Sequence, residues 1–338
     1  MNDYIKLENI IYKNNNFYLT ENLKNIDNYL DNYIISKEKI NYNEIIDNPL
    51  FICNTLHSCY SHAIMDCTLP YFWTINDIKK KENNQNMNIQ IFIKKKLVIK
   101  FWKQNSKLID DINKKYKNDV WNELINILSK KDIIFEHLIS KDKCFLIKEC
   151  YIYIDDDKFQ KSVWNCSKYY NQRKISIDNI KFNDEIIYNN LQLFVNTIKN
   201  KYNINNTIKN NKLIIIDRIK EKKHKDIFWN KEKLDIIIEN IKNTDIIFNG
   251  IKILENMNFK EQITLFSENS IFIFRHGSCL INLLWIPDKS LIFDIDDEYN
   301  RENRIKRIAQ LTNSKSIYID YNKIDYNKIK NEINNFIK

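Results

Sequence analysis

Two stretches of the chain hold the side chains best suited to chemistry. In the first, HSCYSHAIMDCTLPYFW, His62 and Asp66 stand four residues apart, so a helix would place them on one face. Alone, such a pair is more often a solvated polar face, but here the flanks are apolar. A carboxylate or imidazole so placed can take a proton from a hydroxyl, a role that contributes about 10²- to 10⁴-fold in rate. In the second, SIFIFRHGSCLINLLWIPDKSLIFDID, an apolar run of strand length from Ser270 to Arg275 breaks at His276 and Gly277. Ser278 to Trp285 then carries apolar residues at helical spacing, and Pro287 ends that helix. A helix that starts at a glycine-marked turn after a buried strand offers unpaired N–H groups and a positive dipole end, which favour an anion such as phosphate. Ser278 and Cys279 are small enough to allow close backbone approach. Arg218 follows another apolar strand, Leu213 to Ile216, from which it can reach the same sheet edge.

Metal chemistry has weaker support. Cys53, His57, Cys59, His62 and Cys67 match no finger or ribbon spacing, and a helix would fan them around its axis. The acidic runs Asp155 to Asp157 and Asp294 to Glu298 each follow a strand, which leaves a divalent cation as an alternative, although such runs are more often solvated strand ends. No metal is expected.

The 338 residues include 43% hydrophobic and 13% aromatic side chains, so the chain folds around one or two cores despite its Asn, Ile and Lys tracts. Only 2 Gly and 3 Pro remain, and Ala63 and Ala309 are the only alanines, as expected of a genome drifting towards A and T. The surviving Gly and Pro then mark positions where backbone or packing requires them. The formal charge of +9 is spread among scattered lysines with 44 acidic residues interleaved, which gives a solvated, mildly anion-preferring surface and no expected nucleic-acid partner. With 7 cysteines, an odd number, and no apolar run of membrane-spanning length, the chain reads as reduced and cytoplasmic, without an integral membrane segment.

These residues need elements to position them. Residues 1 to 20 alternate around Asn14 to Asn16 as a hairpin does. Pro70 is expected to stop or kink the helix that carries His62 and Asp66. Strands follow at Ile89 to Ile93 and Leu97 to Phe101, helices at 107–117 and 120–129, and strands at Ile133 to Leu138 and Cys144 to Ile154. Weak periodicity over 158–182 separates a first domain, 1–170, from a second, 183–320. The second alternates helix (184–202), strand (212–217), helix (231–242), short strands (245–248 and 252–255) and helix (260–267) before the His276–Gly277 stretch. That alternation predicts an α/β fold with a parallel sheet covered on both faces. A terminal helix, 321–338, is expected to pack back on the N-terminal domain.

With these motifs in place, MNFKEQITLFSENSIFIFRHGSCLINLLWIPDKSLIFDI resembles the carboxyl-terminal signature of glycosyltransferase family 61. That signature runs from a Glu-Gln helix to a strand, a His-Gly-small-small turn, an Asn-Leu-Leu helix, a Pro turn and a strand ending in an acid. IIIDRIKEKKHKDIFWNKEKL is similar to the family's strand, Arg, basic loop and Asn-x-Glu helix, with Arg218, Asn230 and Glu232 in place. SHAIMDCTLP resembles its amino-terminal His-x-x-x-Asp-x-x-x-Pro segment, nearest in flavour to the branch that adds N-acetylglucosamine to protein O-mannose. Three departures stand out: Gly277-Ser278-Cys279 replaces a Gly-Ala-Gly turn, Arg275 precedes His276, and the strand-end Glu is Asp294.

The resemblance implies a GT-B-like pair of facing Rossmann-like domains with mostly parallel sheets, the first on the acceptor side and the second holding a nucleotide sugar. It implies inverting, metal-independent transfer from a UDP-sugar (GlcNAc, xylose or another pentose) to a hydroxyl of a glycan or glycoprotein, with no cofactor beyond the donor. Asp66 or His62 would be the base. His276, Gly277, Ser278, Cys279, Arg218, Asn282, Glu261, Gln262 and Asp294 would bind the donor. The alternatives are a non-catalytic nucleotide-sugar-binding relic and a metal-dependent transferase using an acidic run.

Overall fold

The computed structural model describes residues 4–19, 33–36, 38–53, 64, 68–93, 120–129, 131–153, 184–205, 209–217, 229–254, 257–275, 278–296 and 302–338. The chain divides into two compact units, Met1–Trp164 and Asn165–Lys338.

The first unit begins with the expected hairpin. Strands β1 (Tyr4–Lys13) and β2 (Asn16–Leu19) pair antiparallel across Asn14 and Asn15, whose φ angles of 51° and 62° form a two-residue turn. Asparagine tolerates this left-handed geometry better than other side chains, and the turn's twist matches that of the strands. β3 (Tyr33–Ile35), β4 (Glu44–Ile46), β5 (Leu50–Cys53), β6 (Gln90–Ile93), β7 (Ile134–Phe135) and β8 (Cys144–Tyr153) complete the sheet. Its order is β3-β2-β1-β8-β5-β6-β7, with β4 also pairing with β8. β1 runs antiparallel to both neighbours, so this sheet is mixed, while the remaining five strand pairings are parallel, in keeping with the expectation of mostly parallel sheets.

The stop or kink expected of Pro70 in the helix carrying His62 and Asp66 falls outside the described residues. Pro70 lies in the first turn of the next helix, α1 (Leu69–Lys81), where the missing N–H breaks no intrahelical bond. Tyr71 from this helix packs edge-on against Phe51 and Tyr153, at centroid distances of 5.5 and 5.0 Å. Helix α2 (Val120–Leu128) lies within the predicted 120–129. The strand predicted at 133–138 shortens to β7 and turns into a 3₁₀ segment, where the buried Glu136 accepts the Tyr12 hydroxyl at 3.0 Å.

The second unit is α/β with five parallel strands. Helix α3 (Asp184–Lys201) precedes β9 (Lys212–Asp217), α4 (Lys231–Lys242), β10 (Ile247–Ile253), α5 (Phe259–Ser267) and β11 (Ile271–Arg275). A 3₁₀ helix (Ser278–Trp285), β12 (Leu291–Asp296), α6 (Glu302–Leu311), β13 (Lys315–Asp320) and α7 (Tyr326–Ile337) follow. The three central strands, β9, β11 and β12, are runs of Ile, Leu and Phe with almost no exposure, the pattern of a sheet buried on both faces, while the edge strands β10 and β13 are partly exposed. On one face Leu213, Ile215, Ile271, Ile273 and Phe293 pack against Leu234, Ile237 and Ile241 of α4 and Ile329 and Ile333 of α7. The buried face of α7 therefore belongs to its own unit's core. On the opposite face Phe266 stacks on Phe272 at 5.3 Å, and Trp285 meets Phe194 and Phe259 at 6.1 and 6.0 Å.

Candidate functional site

The strand order of the second unit, β10-β9-β11-β12-β13, locates the site. Numbered within the unit it is 2-1-3-4-5, so the direction of winding reverses between β9 and β11. After β9 the chain crosses on the α4 face; after β11 it crosses on the other. Open α/β sheets bind ligands in the crevice outside the carboxyl ends of the two strands that flank such a reversal. Here these ends are Asp217 and Arg275. Arg218 comes next in the chain after the first, and His276 and Gly277 after the second. All three lie outside the described residues, as do His62 and Asp66 in the first unit.

On the α4 face the edge is built around Tyr321, the residue after β13. The Arg275 guanidinium carbon sits 3.5 Å from the centre of its ring, and the Lys233 ammonium 4.0 Å from it. Lys233 Nζ also donates to the Tyr321 carbonyl at 2.6 Å, and the Asn230 amide donates to the Tyr321 hydroxyl at 2.9 Å. Trp229 lies edge-on to the same ring at 6.0 Å and donates from Nε1 to the Ile216 carbonyl at 3.0 Å. β9 and β11 are in register from Leu213–Ile271 to Ile216–Phe274, so Asp217 and Arg275 are the last residues of two neighbouring strands. Arg275, 4% exposed, therefore extends along the α4 side of the sheet. Asn230 begins α4 as its cap, its side chain accepting from the Glu232 and Lys233 amides, as the Asn-x-Glu pattern predicts.

On the other face the segment after Gly277 is a 3₁₀ helix, not the expected α-helix. In 3₁₀ geometry residues three apart eclipse, and here Trp285 Nε1 donates to Asn282 Oδ1 at 3.2 Å. Asn282 in turn donates to Gln262 Oε1 at 2.9 Å, and Gln262 Nε2 reaches the Leu254 and Met257 carbonyls at 3.2 and 3.0 Å. The structure thus brings Asn282 and Gln262 together, with their amides engaged inside the protein. Glu261 closes a capping box: its carboxylate accepts the Asn258 amide at 2.7 Å and Asn258 accepts the Glu261 amide at 2.9 Å. Cys279 is half-buried in the 3₁₀ helix. Ser278 is its first residue. Asp294 and Asp296 are buried on this same face of β12, in register with Tyr318 and Asp320 of β13, and the Tyr318 hydroxyl donates to the Asp296 carbonyl at 3.0 Å.

Sequence reasoning passed over Trp229, Lys233 and Tyr321. The available signal was position: two of them sit at the start of a helix that follows a switch-point strand, and the third directly follows a parallel strand. The open hollow of about 510 Å³ over α4, lined by Asn230, Lys231, Glu232, Asp235, Ile236 and Glu239, meets this edge at Asn230 and runs from there along the helix. Its three carboxylates against one lysine make it hostile to a diphosphate. Among the described residues no cluster of His, Cys, Asp and Glu has metal-ligand geometry, and no helix is long and apolar enough to cross a membrane.

No protein-family model matches this chain, and no curated protein is significantly similar to it.

Proposed function

We propose that this chain is an inverting glycosyltransferase that binds a UDP-sugar at the carboxyl edge of the second unit's sheet and transfers the sugar to a hydroxyl of a glycan or glycoprotein. One observation carries the reading: the winding reverses between β9 and β11, and the residues next in the chain after those strands are Arg218 on one side and His276-Gly277 on the other. The resemblance to glycosyltransferase family 61 supplies the reaction class. In a single in-line displacement the acceptor oxygen bonds to the anomeric carbon as its bond to the diphosphate breaks. The hydroxyl proton passes to Asp66 or His62, and UDP leaves with the bonding electrons. Arg218, His276 and the first amides of the 3₁₀ helix would stabilise the departing diphosphate. Gln262 and Asn282 would act one step back, fixing the 3₁₀ helix by their mutual hydrogen bond rather than touching the donor.

The test is transfer and hydrolysis of radiolabelled UDP-sugars by the purified chain across a donor panel, with chelator present. Turnover of at least one donor is expected, with Arg218→Ala binding UDP more weakly by calorimetry. Absence of both UDP binding and donor turnover overturns the reading. Activity that vanishes with chelator and returns with Mn²⁺ moves the chemistry to a metal-dependent mechanism.

A further inference from the structure

We infer that Tyr321 is a positioning residue for the donor diphosphate, holding Arg275 and Lys233 at the carboxyl edge beside the β9–β11 reversal; this rests on the nucleotide-sugar reading above. A guanidinium and an ammonium 3.5 and 4.0 Å from one ring centre are too bulky, and too alike in charge, to share a ring face. Tyr321 therefore lies between them. Two cations on one side chain repel each other, and simple packing at this position could be met by an aliphatic residue. Lys233 makes no ion pair among the described residues, its partners there being the Tyr321 ring and carbonyl. The Tyr321 ring thus gathers two cations beside the crevice, which an anion would stabilise.

The orientation is fixed as well as the charge. The Asn230 amide on the Tyr321 hydroxyl and the Trp229 ring against its edge set the plane of the aromatic. Trp229 is tied in turn to the last turn of β9 through the Ile216 carbonyl. One aromatic therefore couples the carboxyl ends of β9, β11 and β13, and the His276-Gly277 turn starts from the residue it grips.

The experiment is calorimetric titration of the full chain and its variants with UDP and, separately, with uridine, which lacks the phosphates. Tyr321→Leu is expected to weaken UDP about tenfold while leaving uridine unchanged, and Tyr321→Phe, which keeps the ring, to stay within about twofold of the parent. Lys233→Met, at a half-exposed helical position that does not threaten folding, is expected to weaken UDP in the same selective way. Equal losses for UDP and uridine in both Tyr321→Leu and Lys233→Met, or unchanged UDP affinity in both, overturn the inference. A parent chain that binds no UDP overturns the donor-site reading and this inference together; a parent that binds UDP with indifferent variants sinks the inference alone.

Discussion

Lys199, near the end of α3, is a charge placed where water hardly reaches, at 4% exposure. Burial lowers its pKa from 10.5 to about 8, with Asp288 pulling weakly in the opposite direction. Between about pH 8 and 10.5 the unfolded chain holds a proton there that the folded chain has lost, so this residue makes stability rise with pH across that window. Burial raises the pKa of the Cys53 and Cys150 thiols, which makes them work in the other direction, costing stability above the ordinary thiol pKa. Comparing variants separates the two. Relative to the parent, Lys199→Met should be more stable at pH 7 in urea denaturation, and the gain, up to about 3 kcal/mol, should shrink towards pH 10.5. A pH-independent difference would show that the lysine is not buried as a cation. At this scale the sequence was partly legible. Asn230 was readable as a helix start because capping chemistry is local. Gly250, one of the chain's 2 glycines, sits at φ 84° where β10 slips register between Phe248 and Ile251. It was read as a gap between two strands because a bulge and a turn use the same residues. The Tyr321 stack joins residues far apart in sequence, and no local pattern encodes it.

Among the elements, the 3₁₀ helix after Gly277 departs most from its sequence pattern. Apolar spacing identifies a helix but does not separate 3.6 from 3.0 residues per turn over eight positions. The Trp285–Asn282–Gln262 chain of hydrogen bonds holds it in place, with Asn282 fully buried. Asn282→Ala removes both bonds and leaves the Trp285 indole and the Gln262 amide short of a partner, so a loss of about 2 kcal/mol in chemical denaturation is expected. If the 3₁₀ helix presents its amides to a diphosphate, the same variant should also weaken UDP. A stability loss with unchanged UDP affinity would separate the network from the donor site. Pro70 carries a similar lesson. Proline is excluded from helix interiors but fits the first turn, so a residue that marks a boundary in the sequence can open the helix that follows it, as Pro70 does in α1.

For the whole molecule, the α/β class and the all-parallel second sheet were readable from the alternation of elements. The mixed character of the first sheet was not, since strand direction depends on pairings across the full unit. If the donor site belongs to the second unit, a fragment spanning Asn165–Lys338 should unfold cooperatively and keep the parent's UDP affinity within about threefold. A fragment that folds but does not bind would assign part of the site to the first unit. The first unit carries a different consequence. β1 is made at the start of the unit, yet it is locked along its length to β8, from Tyr4–Tyr153 to Lys13–Cys144. The hairpin must therefore wait, with one edge unpaired, until nearly all of its unit has been synthesised. Closing so long a loop is the slow step of a high-contact-order fold, and the waiting edge is where a nascent chain would first meet a chaperone or another copy of itself.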